Sequence, residues 1–345
     1  MKKIFAFVLL VGFFTVGLFA QAHQLKIASI APANSPWSRA QDTLVANILR
    51  RTNNQVKLTF IAMNTQGGEI GTIKRMRTVR PGQKAPIDGA VFTNIGLAEL
   101  LPNSTLLTLV VPGLFENQAE LDHALSEVAP HVEKEVGAEG YVLLGWLNVG
   151  WATFYAKETF RNPAQLKRLR LDAGGFGSDI ISNLFKAAGY SVEAVPPQQF
   201  LQSIKSPNGI QASYSVPMLG YIMGWHKSLP NILDMGVCPV MSAVVMSKAT
   251  WDKLTPDQQS VIKSEFKNAQ ETVGKEQEKA DREYLDKMAS EGAKLIKLSP
   301  TEKAELVENF KKDAEVMSKT PNSPIDIKFY NEILGIVEKY RAGQR

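Results

Sequence analysis

Cysteine and histidine are scarce in this sequence. It contains one cysteine, Cys238, and four histidines among its 345 residues. A single thiol cannot close an intramolecular disulfide, and a chain of this length buries enough surface to fold without one. No two histidines stand at a spacing typical of metal ligands, and no second cysteine is available. The sequence therefore predicts neither a disulfide framework nor a dedicated metal site.

Motifs of catalysis and of nucleotide binding are also missing. There is no Gly-x-Ser-x-Gly and no Ser-x-x-Lys with its companion motifs. The run Gly174-Gly175-Phe176-Gly177 looks like part of a dinucleotide fingerprint, but Ile180 stands at the third glycine position and the N-terminal βαβ context is absent. We therefore expect no cofactor and no enzymatic activity. An exported hydrolase is kept as an alternative, because catalytic triads are defined by geometry.

No strong charge of one sign marks the chain. The 39 Lys and Arg residues exceed the 34 Asp and Glu residues only slightly, for a net charge of +5. This surplus is too small to indicate a nucleic-acid partner. With 44% hydrophobic and 21% charged residues, the composition is that of an ordinary globular protein, long enough for two domains.

The N-terminus carries the one long hydrophobic run. Residues 1–22 have a basic start, an apolar run from Ile4 to Phe19, and small residues at Ala20 and Ala22. This pattern predicts a secretory signal cleaved after about Ala22, which places the mature chain in the periplasm. An uncleaved membrane anchor is the alternative, although the run is shorter than a spanning helix usually needs. No cysteine near the cleavage site could carry a lipid.

Strands alternate with helices in the first part of the chain. Hydrophobic patterning predicts strands over residues 24–30, 56–62 and 87–92, and helices over residues 37–52 and 72–79. Such alternation argues for parallel strand pairing with crossover helices on both faces of a sheet.

The second part adds further strands and a long helix. Strands are predicted over residues 141–148, 150–156, 169–172 and 192–195, and helices over residues 178–189, 196–204, 299–318 and 327–340. Residues 255–288 carry apolar positions near helical spacing and no proline after Pro256. A helix of this length usually serves a coiled coil or ties two lobes together.

Several motifs together resemble those of one transporter family. They are Ser35-Pro36-Trp37 after the first strand, the glycine-rich turn 67–71, Ile87-Asp88-Gly89-Ala90 in the third strand, and the order of turn, strand, glycine pair and helix from Pro163 onward. In order and spacing the chain resembles the DctP-like periplasmic substrate-binding proteins of TRAP (tripartite ATP-independent periplasmic) transporters. The resemblance covers nearly the whole chain after the leader.

This resemblance implies an α/β, two-lobed periplasmic-binding-protein fold with a long helix spanning both lobes and a ligand cleft between them. Lobe I would comprise residues 23–149 plus about 237–276, and lobe II residues 150–236 plus about 277–345. The implied function is a receptor that closes on a small ligand by hinge motion and delivers it to the TRAP integral membrane subunits. Some members of the family also work with a periplasmic tetratricopeptide-repeat protein.

The residues that would hold a carboxylate depart from the family pattern. The family's arginine position aligns with Asp172, a second arginine position aligns with Ala152, and a ligand-binding asparagine falls in the run that ends at Ser215. A buried carboxylate without a cation loses charge-assisted hydrogen bonds and its desolvation still costs free energy. We therefore expect an apolar, neutral or cationic ligand rather than a small carboxylate.

Two alternatives stay open at this point. Arg161, Arg168 or Arg170 could supply the missing charge, since Arg170 would share a strand face with Asp172. The loss of both arginines could also mean that the scaffold was repurposed as a periplasmic interaction or sensing module. A buried, closable pocket would favour transport, and a filled cleft would favour the module.

The resemblance implies a set of candidate ligand-binding positions. Each aromatic among them could instead be ordinary core packing. The candidates are Trp37, Glu69, Phe92, Asn94, Trp151, Ala152, Arg170, Asp172, Phe176, Tyr214, Ser215 and Met218.

Overall fold

The computed structural model describes residues 22–31, 35–78, 85–172, 179–193 and 195–344. The elements of the first part of the chain are β1 (His23–Ser29), α1 (Pro36–Arg51), β2 (Val56–Ala62), α2 (Gly68–Arg77), β3 (Gly89–Thr93), α3 (Asn94–Leu100), α4 (Gln118–Glu127), α5 (Ala129–Ala138) and β4 (Tyr141–Ala156). Short 3-10 turns cover Met63–Gln66 and Leu106–Val110.

The remaining elements alternate less regularly. They are α6 (Pro163–Arg168), β5 (Leu171–Asp172), α7 (Asp179–Ala187), α8 (Pro197–Lys205), β6 (Ala212–Ser215), α9 (Pro217–Ile222), β7 (Asn231–Leu233), β8 (Cys238–Ser247), α10 (Lys248–Trp251), α11 (Pro256–Ser290), β9 (Lys294–Ile296), α12 (Pro300–Ser318) and α13 (Ile327–Gly343). In the part of the chain that the structure describes, no helix combines the length and the apolar composition needed to cross a membrane.

The strands form one mixed sheet in the order β2-β1-β3-β8-β4-β6-β5, with β7 joining β4 to β9. Strand β1 lies parallel to β2 and β3, as the alternating pattern predicts. Strand β8 is antiparallel to both β3 and β4. It follows the strands of the second group in the chain and pairs with β3 of the first group. The two ends of the sheet therefore belong to two lobes that share β4 and β8.

Strand β4 is a single bent strand where the sequence predicted two. It pairs with β8 from Tyr141 to Ala152 and with β6 from Thr153 to Ala156. The register shifts between Asn148 and Gly150, where Gly150 has φ +139°. Residues with a Cβ rarely adopt this backbone conformation, so glycine allows the bend without interrupting the strand.

The long helix α11 packs along β4 and contacts α1 in one lobe and α9 in the other. It begins at a capping box in which Thr255 accepts from the Gln258 N–H and the Gln258 side chain accepts from the Thr255 N–H. Phe266 packs into the core around α1, and Met288 packs into a separate core beneath α8. The helix therefore spans both lobes, as the predicted fold requires.

The two C-terminal helices contact both groups of elements. Helix α12 packs against α6 and α7, and the Lys167 ammonium lies 2.6 Å from the Asp313 carboxylate. Helix α13 packs against α4 and the 3-10 turn Leu106–Val110, and the Arg341 guanidinium lies 2.7 Å from the Glu120 carboxylate. These contacts join the C-terminal segment to lobe I as well as to lobe II.

The segment around residues 163–172 differs from the predicted strand over residues 169–172. Asn162 caps α6 by accepting from the Gln165 N–H, with Pro163 at the first helical position. Strand β5 contains only Leu171 and Asp172, so Arg170 lies before the strand. Pro163, which the sequence suggested as part of a turn, begins helix α6 instead. The helix extends to Arg168, so the strand begins only at Leu171. The predicted strand over residues 192–195 is reduced to a bridge between Val192 and Leu171.

Candidate functional site

A cavity of about 320 Å³ lies where the two lobes and the C-terminal segment meet. This volume is at the lower end of the range for small-molecule sites. One wall comes from the carboxyl ends of β1 and β3, which is where ligands bind in open α/β sheets. The opposite wall comes from α7, β6 and α9, and the sides from β4, β8, α11, α12 and the 3-10 turn Leu106–Val110.

The wall from lobe I holds most of the polar groups. Ser35 caps α1 by accepting from the Ser38 N–H at 3.1 Å, and Thr93 caps α3 by accepting from the Gly96 N–H at 3.2 Å. Both caps stand where a strand gives way to a helix, which sets hydroxyl groups at the cavity edge. Trp37, in the first turn of α1, lines the same wall.

Glu69 is the acidic residue on this wall. Its Oε1 accepts from the Thr93 N–H at 2.7 Å and its Oε2 accepts from the Thr93 hydroxyl at 3.0 Å. Burial raises the pKa of Glu69, against the two hydrogen bonds from Thr93, which lower it. A Cβ at Gly96 would lie 2.2 Å from Oε1, so only glycine leaves room for this carboxyl.

Asn94 follows Thr93, the residue that is hydrogen-bonded to Glu69, and it offers a donor where Glu69 offers an acceptor. Its Oδ1 accepts from the Met241 N–H at 3.1 Å. A backbone N–H can only donate, so this bond assigns the oxygen and leaves the amide nitrogen as a donor. Glu69 and Asn94 together offer an acceptor and a donor on one wall of the cavity.

The wall from lobe II is mainly apolar and aromatic. The ring of Tyr214 lies 5.1 Å from Phe154 and 5.5 Å from Phe185, measured between centroids. The Tyr214 hydroxyl is hydrogen-bonded to the Cys238 thiol. Burial raises the pKa of Cys238 to about 12 and raises that of Tyr214 well above its ordinary value. Both groups are therefore neutral at physiological pH, and the thiol is not poised as a nucleophile.

Cationic side chains do not line the cavity in the part of the chain that the structure describes. Its lining includes one acidic residue, Glu69, and no Lys, Arg or His. Arg161 instead lies 3.2 Å from Glu302, Arg168 is exposed, and the Arg170 Nε donates to the Gly209 carbonyl at 2.9 Å. None of the three arginines considered as replacements belongs to the lining.

Most of the predicted site residues come together in this cavity. Those in the lining are Trp37, Glu69, Asn94, Ala152, Tyr214, Ser215 and Met218. Phe92, Trp151, Arg170 and Asp172 are not part of the lining. Phe176 lies outside the described residues.

Strand alternation accounts for two of the positions outside the lining. Phe92 is fully buried in the core of lobe I. Trp151 precedes Ala152, and neighbouring side chains of a strand point to opposite faces, so Ala152 faces the cavity and Trp151 packs against Gly236. Asp172 is 4% exposed and pairs with Ser213 of β6.

Several parts of the lining were missed from the sequence, among them residues of α7, β8 and α11, and two of the missed parts differ in the signal that the sequence offers. One is the segment containing Leu107, Val110 and Pro112, which a proline after an apolar run could have indicated as a buried turn. The other consists of Met317 and Ile325, at the end of α12 and before α13. No local signal distinguishes these two from core residues, because they reach the cavity only through the packing of the C-terminal helices.

Comparisons with known proteins agree with this architecture. The family described as bacterial extracellular solute-binding protein, family 7 (DctP) matches residues 27–320. A TRAP periplasmic solute-binding protein from Ochrobactrum anthropi, with its C-terminus bound in the ligand-binding pocket, is similar at 15% identity and a TM-score of 0.79, with 94% of this chain and 97% of that chain covered.

Two further structures contain sugar acids. A TRAP periplasmic solute-binding protein from a Sulfitobacter species with bound β-D-galacturonate is 15% identical, with a TM-score of 0.70 and coverage of 91% of this chain and 99% of that chain. A sugar acid binding protein from Advenella mimigardefordensis in complex with galactonate is 13% identical, with a TM-score of 0.73 and coverage of 92% and 99%. At such identities these likenesses establish the fold.

Proposed function

The chain belongs to the bacterial extracellular solute-binding proteins of family 7, and on that premise we propose that it is the periplasmic receptor of a TRAP-type secondary transporter. It binds a small molecule between its lobes and delivers it to the integral membrane subunits, without covalent chemistry. Residues 1–22 serve as the export signal. A periplasmic tetratricopeptide-repeat protein as an additional partner stays a prediction from the family.

The ligand of this receptor is apolar, neutral or cationic rather than a small carboxylate. The observation that carries this step is the cavity lining, which in the described residues contains Glu69 and no cation. A carboxylate there would be desolvated without a charge-assisted partner and would be repelled by Glu69. The sugar acids bound by the proteins from Sulfitobacter and Advenella therefore do not carry over to this chain.

The open cavity supports the receptor over an interaction or sensing module. A scaffold that no longer binds a ligand is expected to fill its cleft, because empty apolar space costs packing free energy. Here the cleft keeps about 320 Å³ between the walls. The residues that line it come from both lobes, so closing the lobes would enclose a ligand.

The bend in β4 is the hinge of this proposal. The proposal keeps the lobe bounds predicted from the sequence, with residues 23–149 and about 237–276 in one lobe and residues 150–236 and about 277–345 in the other. Gly150 lies at the first boundary and has φ +139°. The Gly150 N–H donates to Asn148 Oδ1 at 2.8 Å. Opening and closing change the angle between the two halves of β4 at this glycine.

Solution X-ray scattering tests the receptor function without knowledge of the ligand. One preparation is purified without denaturation, and a second is unfolded, dialysed free of small molecules and refolded. We expect a smaller radius of gyration for the first, because a bound ligand holds the lobes closed, and we expect an extract of the first to compact the second. Identical radii in all three samples would contradict the proposal.

A further inference from the structure

The cavity lining contains two chemically different groups of residues. Glu69 and Asn94 form the polar group: Glu69 is hydrogen-bonded to Thr93, the neighbour of Asn94, and both side chains keep hydrogen-bonding capacity that the protein does not use up. The second group is apolar, and we call it the apolar arm, formed by Pro112, Leu184, Phe185, Met317 and Ile325. A ligand that contacts both groups has to carry a polar and an apolar part.

The polar group selects the hydrogen-bonding character of the ligand. An ionised carboxylate has about four acceptor sites. Thr93 occupies two of those on Glu69, one through its N–H and one through its hydroxyl. The remaining sites can accept from a donor in the cavity, and the amide nitrogen of Asn94 can donate to an acceptor there. A hydroxyl or a primary amide satisfies both residues, an ammonium satisfies Glu69, and a carboxylate satisfies only Asn94.

The apolar arm is held in place from two sides. The Asp326 N–H donates to the Thr108 hydroxyl at 3.0 Å, which fixes the turn before α13 against the 3-10 turn Leu106–Val110. The Lys167 ammonium reaches the Asp313 carboxylate at 2.6 Å, one turn before Met317, which fixes α12 to α6 of lobe II. Hydrogen bonds and an ion pair thus fix the elements that form the apolar arm, which come from both lobes and the C-terminal segment.

We propose, resting on the receptor function above, that the ligand is an amphipathic molecule whose hydrocarbon chain lies in the apolar arm and whose head donates a hydrogen bond to Glu69. The head is a hydroxyl, an amide or an ammonium group. The chain supplies affinity through the surface it buries, and the head fixes the orientation of the molecule. The site therefore discriminates by chain length in the apolar arm and by charge at Glu69.

Titration calorimetry with three series of probes tests this assignment on the intact protein stripped of small molecules. The probes are butyl, hexyl and octyl members of the primary alkanols, alkylammonium ions and alkanoates. Within the first two series we expect affinity to rise about fourfold per methylene until the arm is full. At equal length the alkanoate is expected to bind at least about tenfold more weakly, because its charge has no partner and is repelled by Glu69.

Two substitutions on α12 test the arm. Met317→Trp fills the arm and is expected to weaken the octyl probes at least about tenfold while affecting the butyl probes less. The control is Val316→Trp, the same change at the neighbouring residue, which is 45% exposed and outside the lining. Equal losses in the two variants, or no chain-length dependence in the wild type, would overturn the placement of the chain.

Two substitutions test the head. Glu69→Gln keeps an acceptor for Thr93 but removes the negative charge, so it should weaken octylammonium about tenfold and octanol much less. The control is Glu99→Gln, which changes an exposed residue of α3. Thermal unfolding of each variant checks that the fold is retained. A loss for octylammonium no larger than that for octanol would overturn the role of Glu69.

The outcomes separate this inference from the receptor function. If no member of the three series binds, the amphipathic assignment is wrong, whereas the scattering comparison still decides whether a ligand closes the lobes. If octanoate binds as tightly as octanol, the head assignment is wrong. If the scattering radii are identical and no probe binds, both proposals fall together.

Discussion

Asp281 is the residue at which the long helix meets the bend of β4. Its carboxylate accepts from the Trp151 N–H at 2.7 Å and from the Gln277 side chain at 3.1 Å, while the residue is 6% exposed. Burial raises its pKa to about 7, Glu278 adds to the rise, and the two hydrogen bonds oppose it. Gln277 also lines the cavity, so this carboxyl lies between the proposed hinge and the cavity.

The raised pKa of Asp281 makes stability depend on pH in a definite direction. As pH rises, the carboxyl ionises in the unfolded chain before it ionises in the folded protein, so the folded state loses relative stability from about pH 4 to about pH 7. Asp281→Asn removes this titration. We expect the urea midpoint of the variant, measured against wild type, to rise between pH 5 and pH 7 and to level off above about pH 8. Midpoints that stay parallel across this range would contradict the account.

At the scale of single residues, the sequence predicted part of the cavity lining. Trp37, Glu69 and Asn94 could be placed by the resemblance to the family, and all three belong to the lining. Trp151 could not be separated from Ala152, because a bulge decides which of two neighbouring residues faces the cavity. Met317 could not be found at all, since its place in the lining depends on packing far from its own position in the chain.

At the scale of elements, the bend in β4 is the proposed hinge between the lobes. Gly150 has φ +139°, and a Cβ there would lie 3.0 Å from an oxygen of Asp281 and 3.0 Å from Val216. The bend thus needs glycine for its backbone conformation and for the space around it. The sequence predicted the break at this residue but interpreted it as the gap between two strands.

Gly150→Ala is expected to lower the free energy of unfolding by about 1–3 kcal/mol, because it adds backbone strain and a close contact with Asp281. The control is Gly137→Ala in α5, where the backbone is helical and no atom lies within 4 Å of the new Cβ. That change should instead stabilise the protein by about 0.5–1 kcal/mol. Urea unfolding of both variants measures the difference, and equal effects would refute the role of Gly150.

Other elements show why long patterns were predicted better than short ones. The 35 residues of α11 carry repeated apolar positions and a capping box, so many residues indicate the same helix. The two residues of β5 carry no such redundancy, and the cap at Asn162 turned the preceding segment into a helix. The conformation of a short element depends on contacts with residues that are distant in the sequence, and these contacts cannot be read from the local pattern.

At the scale of the whole molecule, we propose that the family fold is kept while the chemistry of the ligand site has changed. The two-lobed architecture matches structures with about 15% identity over almost the full chain, because such a fold needs only apolar faces, caps and turns in the right order. The binding chemistry depends on a few side chains, and here the positions expected to be arginine are Ala152 and Asp172. One of them lines a cavity that, in the described residues, holds no cation.

The ligand class is tested by native mass spectrometry of the protein purified without denaturation, followed by extraction and identification of the bound molecule. We expect a mass excess from a molecule without a carboxylate. This excess should be lost in Met218→Trp, which fills the cavity from α9, and kept in Ile222→Trp, on the same helix at a residue that is 64% exposed. A sugar acid or another small carboxylate retained in wild type and lost only in Met218→Trp would contradict the ligand class, and a protein that never carries a molecule would contradict the receptor.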